Sequence, residues 1–397
     1  MSIVGIGEDG RAGLSPAAAR ALDQARIVWG GRRHLALAAP FPGEARAWPS
    51  PPEAAFAGIA AARGEPVCVL ASGDPFHYGI GAQLARAFAQ TEIAAYPAPS
   101  SFSLAAARLG WPLQDCALVS VHGRPLERLL RHLQPGARVL ALSDGAESPA
   151  RIAALLAARG LGASRLHVCE RLGGSAERLR TFGADETPPA DVDPLNLVAI
   201  EVATGPRAAT PSLAPGLPDD LFENDGQITR ADVRALTLAA LAPRRGEILW
   251  DVGAGSGSVA IEWTLRDPAM RAVAIERDPA RAARIARNAR ALGAPDLRVI
   301  EGDAPAAFAG LPAPDAIFVG GGAGGEGMIE TAIAALKPGG RLVVNAVTLE
   351  TQALLASLHA ERGGGLTRID LAEAAPVGRF RGFRAGMTIV RWRWDKP

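Results

Sequence analysis

Cysteine and lysine are both scarce in this 397-residue chain. The three cysteines, Cys68, Cys116 and Cys169, lie about fifty residues apart and form no C-x-x-C pair. That spacing argues against a disulfide framework and a thiolate zinc site. Each sits in an apolar run and reads as a small buried side chain. The only lysines are Lys337 and Lys396, and no G-K-[ST] occurs. An ordinary ATP-binding P-loop is therefore excluded, and Schiff-base chemistry has no suitable amine. The six histidines show no H-x-x-x-H spacing, so no metal is expected. An excess of one charge is missing too: Lys+Arg is 42 and Asp+Glu is 41, a net charge of +1. A protein that coats nucleic acid needs a broad positive field, so no nucleic-acid partner is expected. Long apolar runs are absent. The longest charge-free stretch, residues 93–107, is broken by Pro97 and Pro99 and falls short of the ~20 residues a membrane span takes. The first residues lack the basic start and apolar core of a signal peptide, so the expectation is a cytoplasmic protein with no membrane partner.

What is present is a folded chain, with 48% hydrophobic and 21% charged residues, well outside the disordered range. Residues 203–220 hold four prolines between Gly205 and Pro218 and read as a semi-stiff break. This predicts a domain over 1–203, a Pro-rich linker over 204–218 and a domain over 219–397. Before the linker, apolar β-rich runs at 3–6, 67–71, 117–121, 139–142, 166–169 and 195–202 alternate with helical patterns at 16–26, 82–89, 126–133 and 149–158. That is α/β architecture, and Gly110-Trp111-Pro112 marks a weaker break between two lobes. After the linker, strands are expected at 248–252, 272–275, 297–300, 316–319 and 341–344, and helices at 258–265, 279–292, 328–336 and 351–362. Asp278-Pro279 is a helix start, an N-cap followed by N1 proline. The pattern is a doubly wound sheet.

The sharpest local signal is the apolar strand Ile248-Leu249-Trp250-Asp251-Val252 running into Gly253-Ala254-Gly255-Ser256-Gly257 and then a helix. Glycines there let the backbone turn tightly and approach a ligand. The next strand ends at Glu276, about twenty residues on, where a carboxylate can accept both hydroxyls of a ribose. The third ends at Gly302-Asp303-Ala304, placed to touch an adenine edge. This combination fits NAD as well as S-adenosylmethionine (SAM). Two details favour SAM: position 258 is Ser, so the third glycine of G-x-G-x-x-G is missing, and Asp251 stands before the loop, where it can meet an ammonium group.

The run D-G-Q-I-T-R-A-D-V-R at 225–234, the loop at 250–258, Ala260-Ile261-Glu262, Phe318-Val319-Gly320-Gly321-Gly322 and G-G-R-L-V-V-N at 339–345 together resemble the decarboxylating precorrin methyltransferase domain of cobalamin biosynthesis. The resemblance implies a Rossmann-like class I SAM-methyltransferase fold. It also implies that Thr229, Gly253, Ala254, Gly255, Ser256, Gly257, Glu276, Asp303 and Ala304 contact SAM.

In the first half, Val4-Gly5-Ile6-Gly7, Ser72-Gly73-Asp74-Pro75-Phe76 and Pro97-Ala98-Pro99-Ser100-Ser101 each end a strand. With Ser120-Val121-His122-Gly123-Arg124 they resemble the precorrin C-5 branch of the tetrapyrrole methylase family. That family has a two-lobed class III fold and binds SAM between its lobes. Gly5, Gly7, Ser72, Gly73, Asp74, Ser100 and Ser101 are the positions carried over. The first loop reads G-I-G-E-D-G rather than G-x-G-P-G, which leaves Glu8 and Asp9 without an assigned role.

A tetrapyrrole methylase followed by a decarboxylating methyltransferase is similar to the bifunctional family of corrin-ring methyltransferases. That resemblance implies SAM-dependent methylation of a precorrin at C-5 and C-15, loss of CO2 from the C-12 acetate arm, one SAM site per domain, and self-association through the second domain. The expected chemistry is an in-line methyl transfer to a conjugated ring carbon, for which positioning is the main requirement; no catalytic acid or base stands out. Competing readings are an NAD-linked oxidoreductase and an RNA methyltransferase. Asn345 and the arginines of G-R-F-R-G-F-R, Arg379, Arg381 and Arg384, are the substrate candidates, because Arg binds carboxylates in bidentate fashion. His77 and His122 lie in site loops. Glu262 can steer substrate or pair with an arginine.

Overall fold

The computed structural model describes residues 1–205, 208 and 210–397. The chain forms two compact units, Met1–Thr210 and Pro211–Pro397. The expected linker, 204–218, includes Pro206, Arg207 and Ala209, which lie outside the described residues. Its second half is not a free tether. Leu217 is wholly buried in the second unit, and the buried carboxylate of Glu262 accepts the amides of Gly216 and Leu217 at 2.7 and 2.8 Å.

The first unit carries two five-stranded sheets. One is all parallel: β1 (Ser2–Ile6), β2 (Ile27–Gly30), β3 (Glu44–Ala47), β4 (Val67–Ser72) and β5 (Ala94–Tyr96), in the order β3-β2-β4-β1-β5. Buried Ile3, Val4, Val69 and Leu70 fill its centre, as the apolar runs require of a sheet covered on both faces. The helix Ser101–Leu109 follows this sheet but buries Phe102, Ala105 and Ala106 against Leu140, Leu197 and Ala199 of the second lobe, and it ends at Gly110, whose φ of 66° is the left-handed cap that glycine favours. The break expected at Gly110-Trp111-Pro112 falls inside the second lobe, whose packing starts with this helix, because Trp111 shares its core. The sheet of this lobe comprises β6 (Cys116–Ser120), β7 (Arg138–Leu142), β8 (Arg165–Glu170), β9 (Arg178–Gly183) and β10 (Asn196–Glu201), in the order β6-β7-β10-β8-β9. Only β6 and β7 run parallel.

The second unit is a seven-stranded sheet built from β11 (Ile248–Val252), β12 (Arg271–Glu276), β13 (Arg298–Glu301), β14 (Ala316–Val319), β15 (Arg341–Ala346) and β16 (Gly365–Ile369), with the last strand of the chain between β15 and β16. A separate hairpin follows β16: β17 (Ala372–Val377) and β18 (Phe380–Ala385). The last strand, β19 (Ile389–Asp395), then runs antiparallel to both β15 and β16. The order is β13-β12-β11-β14-β15-β19-β16, with β11 to β15 all parallel. Chain order therefore reverses between β11 and β14, and a doubly wound sheet opens a crevice at the carboxyl ends of such strands. The helix Pro279–Leu292 starts as expected, with Asp278 accepting the amides of Ala280 and Arg281 at 2.8 and 3.1 Å.

Candidate functional site

Each unit gathers glycines and polar groups at the carboxyl ends of its parallel strands. In the second unit Gly253, Gly255 and Gly257 all take positive φ, 67°, 59° and 76°. A Cβ on Gly253 would stand 3.1 Å from the carbonyl oxygen of Gly321 after β14, so this glycine lets the switch-point loops approach. A Cβ on Gly257 would lie 2.6 Å from Ile285, where the following helix packs. The loop is held from several sides. Gly253 and Ala254 donate to the Ile275 carbonyl at 3.0 and 3.2 Å, and Gly255 donates to Glu276 Oε2 at 2.8 Å. Glu276 Oε1 accepts from Asp278 N at 3.1 Å. Gly302 donates to the Glu276 carbonyl at 3.0 Å, which brings Asp303 and Ala304 beside that carboxylate.

Asp251 lies behind the loop and is fully buried. Its Oδ2 accepts from Ala260 N at 2.9 Å. Its Oδ1 has no partner among the described residues, and neither does the buried Oγ of Ser256. Burial pushes the Asp251 carboxyl up to about 7; the Ala260 amide opposes this and the neighbouring Glu276 adds to it. An orphaned buried carboxylate oxygen behind a glycine wall fits a ligand with a cationic end, and SAM has one.

Residues 216–230 run past this loop. The carbonyl of Gln227 stands 3.4 Å from where a Cβ on Gly255 would be. Asn288 ties this segment to the glycine loop. Its side-chain amide donates to the carbonyls of Glu223 and Ser256, both at 2.9 Å, while its oxygen accepts from Glu223 N. Arg234, wholly buried, donates to the carbonyls of Thr229 and Leu217 and to Glu262 Oε1 at 2.5 Å. Glu262 is thus an arginine partner and a backbone brace. Thr229 lies on this segment two residues beyond Gln227, with its carbonyl held by Arg234.

Asn345 is the next-to-last residue of β15, in register one beyond the pair Val319–Val344. Its Nδ2 donates to Thr237 Oγ1 at 2.9 Å and its Oδ1 is unpartnered. Arg381 and Arg384 stand on β18, which pairs only with β17, and Arg379 lies in the connecting turn with its guanidinium 5.0 Å over the ring of Phe380. The hairpin stands between Ile369, where β16 ends, and Ile389, where β19 starts near Ala346 at the end of β15, so it leaves the sheet on the side of the strand ends that carry the glycine loop.

In the first unit the ends of β1, β4 and β5 are pressed together. A Cβ on Gly5 would lie 1.9 Å from the Gly73 carbonyl oxygen, and one on Gly73, whose φ is 51°, would lie 2.8 Å from that of Pro99. Gly7, Ser72, Gly73 and Ser101 line one cleft with Glu8, Arg33, Leu172 and Asn196. Gly5 supports its floor. Ser100 serves locally as the N-cap of Ser101–Leu109, accepting from Ser103 N at 3.2 Å, and Asp74 accepts from Phe76 N at 2.8 Å. Asp9 folds back over Gly7 and Gly13. Glu8 faces the cleft and is held by Arg33 and by Arg171, the latter at 3.2 Å. His34 bonds Ser72 Oγ at 2.8 Å, and burial, helped by Arg33, lowers its pKa to about 4. Its ring is neutral at pH 7. The arginines and Asn196 come from distant segments, and no local motif announced them.

Comparison with known proteins follows the same division. A family model for the tetrapyrrole (corrin/porphyrin) methylases matches residues 1–186, and one for the precorrin methyltransferase domain matches residues 220–396. A precorrin-6Y C(5,15)-methyltransferase (decarboxylating) of a Sinorhizobium species is 56% identical over 397 residues, covering 100% of this chain and 96% of the relative. A cobalt-precorrin-7 C(5)-methyltransferase of Salmonella typhimurium is 36% identical over 45% of this chain and 88% of its own length. A probable cobalt-precorrin-6B C(15)-methyltransferase (decarboxylating) of Pyrobaculum calidifontis is 38% identical over 43% of this chain and 90% of its own length. The NAD-linked and RNA-methylating alternatives gain no support from these relatives.

Proposed function

The chain belongs to the family of the decarboxylating precorrin-6Y C(5,15)-methyltransferases, and from that membership we propose how its two units divide the work. The first unit methylates C-5 of the precorrin macrocycle. The second methylates C-15 and releases CO2 from the C-12 acetate arm. The observation that supports this most is the presence of two dissimilar glycine-walled sites, one at the strand ends of each unit. The unit boundary falls where the two family matches leave a gap.

When bound, SAM supplies a methyl group on a sulfonium, an electrophile that a conjugated ring carbon can attack. In the second unit Gly253, Gly255 and Gly257 keep side chains out of the cofactor's path, and Glu276 has lone pairs left for ribose hydroxyls. The carboxyl of Asp251 is the counter-charge for the ammonium. Asp303 and Ala304 border the adenine, and Thr229 closes over the loop. Asn345 offers an unpartnered amide oxygen to the substrate. In the first unit Gly7, Ser72, Gly73 and Ser101 form the cofactor wall, supported by Gly5, Asp74 and Ser100. Positioning carries most of the rate. The macrocycle itself accepts the electron pair left by CO2, which is why neither unit needs a nucleophile or a metal for that step.

Self-association through the second unit is part of this proposal. It is supported by the β17–β18 hairpin, where Phe380 and Phe383 are exposed with Met387 just beyond; a Phe383→Asp chain that sediments like its parent would contradict it. The direct test of the two-site reading is equilibrium binding of SAM to the full chain. Two molecules bound per chain are expected; one or none contradicts the reading.

A further inference from the structure

The loop that leaves the cofactor wall of the first unit carries an aromatic platform that no step above uses. Residues 74–81 are tightly wound. Asp74 Oδ1 accepts from Phe76 N, the Asp74 carbonyl accepts from His77 N at 3.2 Å, and the Pro75 carbonyl accepts from Gly81 N at 2.9 Å. A Cβ on Gly79 would come within 2.4 Å of the Pro75 oxygen, so the winding requires glycine there. Tyr78 sits at the crest with a φ of 57°. A bulky residue in the left-handed region is strained, and such strain persists where the surroundings hold it.

The surroundings do hold it. The ring of His77 stacks on buried Phe102, centroids 4.6 Å apart, and Tyr78 stacks on His77 at 5.4 Å. Tyr78 Oη donates to the Leu118 carbonyl at 3.2 Å, fixing the ring's direction. The ring nonetheless remains 45% exposed, and Phe76 beside it is 46% exposed. The guanidinium of Arg124 lies 5.0 Å over the Tyr78 ring. Arg124 is exposed and has no carboxylate partner among the described residues. Its turn is pinned, since Gly123 N donates to Asp144 Oδ1 at 2.7 Å and Arg124 N donates to the Val121 carbonyl at 3.1 Å.

A pre-oriented aromatic ring with an unneutralised arginine lying over it matches one kind of ligand: a flat conjugated ring that carries carboxylate arms, one of which draws the guanidinium off the aromatic face. Aromatic stacking takes the ring, and a guanidinium takes a carboxylate in bidentate fashion. The loop continues directly from Ser72 and Gly73, which line the cofactor cleft, so the platform is tethered to that cleft by a few residues of chain. We propose that Tyr78, with Phe76 and Arg124, forms the seat of the tetrapyrrole in the first unit, Tyr78 stacking on the macrocycle and Arg124 pairing one acidic arm. This rests on assigning C-5 methylation to that unit.

The test uses full-length Tyr78→Gly, Arg124→Gln and Arg124→Lys chains. Glycine relieves the left-handed strain, which offsets the lost stack on His77 and the lost bond to the Leu118 carbonyl, so Tyr78→Gly stays folded, as its melting temperature verifies. Its KM for tetrapyrrole in C-5 methylation rises roughly tenfold, the order that loss of one stacked aromatic gives, while its KM for SAM does not change. Arg124→Gln raises the same KM and Arg124→Lys recovers part of the loss. An unchanged tetrapyrrole KM in Tyr78→Gly overturns the proposal. So does a rise matched by the SAM KM, or one that accompanies a smaller assembly, which would make the aromatics a contact between copies. Titration of the macrocycle's absorbance reads the seat without turnover. If the parent chain adds no methyl at C-5 but Tyr78→Gly still weakens that titration, the unit's assignment fails and the seat stands.

Discussion

Gly255 donates its amide proton to Glu276 Oε2 across 2.8 Å. The carboxylate placed to meet a ribose is therefore also the brace of the glycine loop, and binding and loop shape depend on one side chain. Glu276→Gln removes the charge and turns one acceptor into a donor facing an amide. Charge-assisted hydrogen bonds contribute ~1.5–3 kcal/mol, so SAM affinity at the second unit should fall roughly tenfold or more. Calorimetric titration checks it, and the first unit's site in the same chain serves as the internal control.

Asp251 makes the second unit pH-sensitive. Its folded carboxyl titrates at about 7 because burial disfavours the charge, against an ordinary value of 3.8. Between those values the folded chain holds a proton that the unfolded chain has lost, so this group lowers stability as pH rises from about 4 through about 7. Asp251→Asn should abolish that slope. Melting temperatures of the second unit between pH 5 and pH 8 read it directly. The same variant should bind SAM more weakly at pH 8, where the parent carboxylate is free to meet the ammonium.

Glu262 and Arg234 form a wholly buried ion pair. Removing one partner leaves a buried charge uncompensated, which costs ~3–5 kcal/mol. Glu262→Ala also frees the amides of Gly216 and Leu217. Thermal unfolding of the full chain should show the second unit melting earlier with the first unit's transition in place. A single unshifted melt would contradict the bracing role.

Much of the second unit was legible because its central strands are buried on both faces and run directly into glycines. Ile248–Val252 and Asp278-Pro279 are cases where local chemistry and tertiary structure agree. The strands missed have weaker signals. Glu44–Ala47 is a short, largely exposed edge strand with no apolar alternation. β16 to β18 are short and mostly exposed, and β19 alternates apolar and charged residues, a period-2 pattern visible in I-V-R-W-R-W-D. In the sites, glycines and strand-end acids could be placed from spacing alone. Glu8 with Arg33 and Arg171 could not, since that group is assembled from three distant segments.

The central claim is the separation of two reactions between two sites on one chain, and product analysis of two single-site variants tests it most directly. Gly255→Val fills the second unit's loop, and Gly73→Val fills the first unit's wall, where a Cβ already meets the Pro99 carbonyl oxygen at 2.8 Å. Each chain is given precorrin and SAM, and mass spectrometry counts methyl groups gained and CO2 lost. Gly73→Val should yield a product with one added methyl and its CO2 gone, while every product of Gly255→Val should retain the carboxyl. A Gly255→Val product that has lost CO2, or a Gly73→Val product bearing both methyls, would contradict the account.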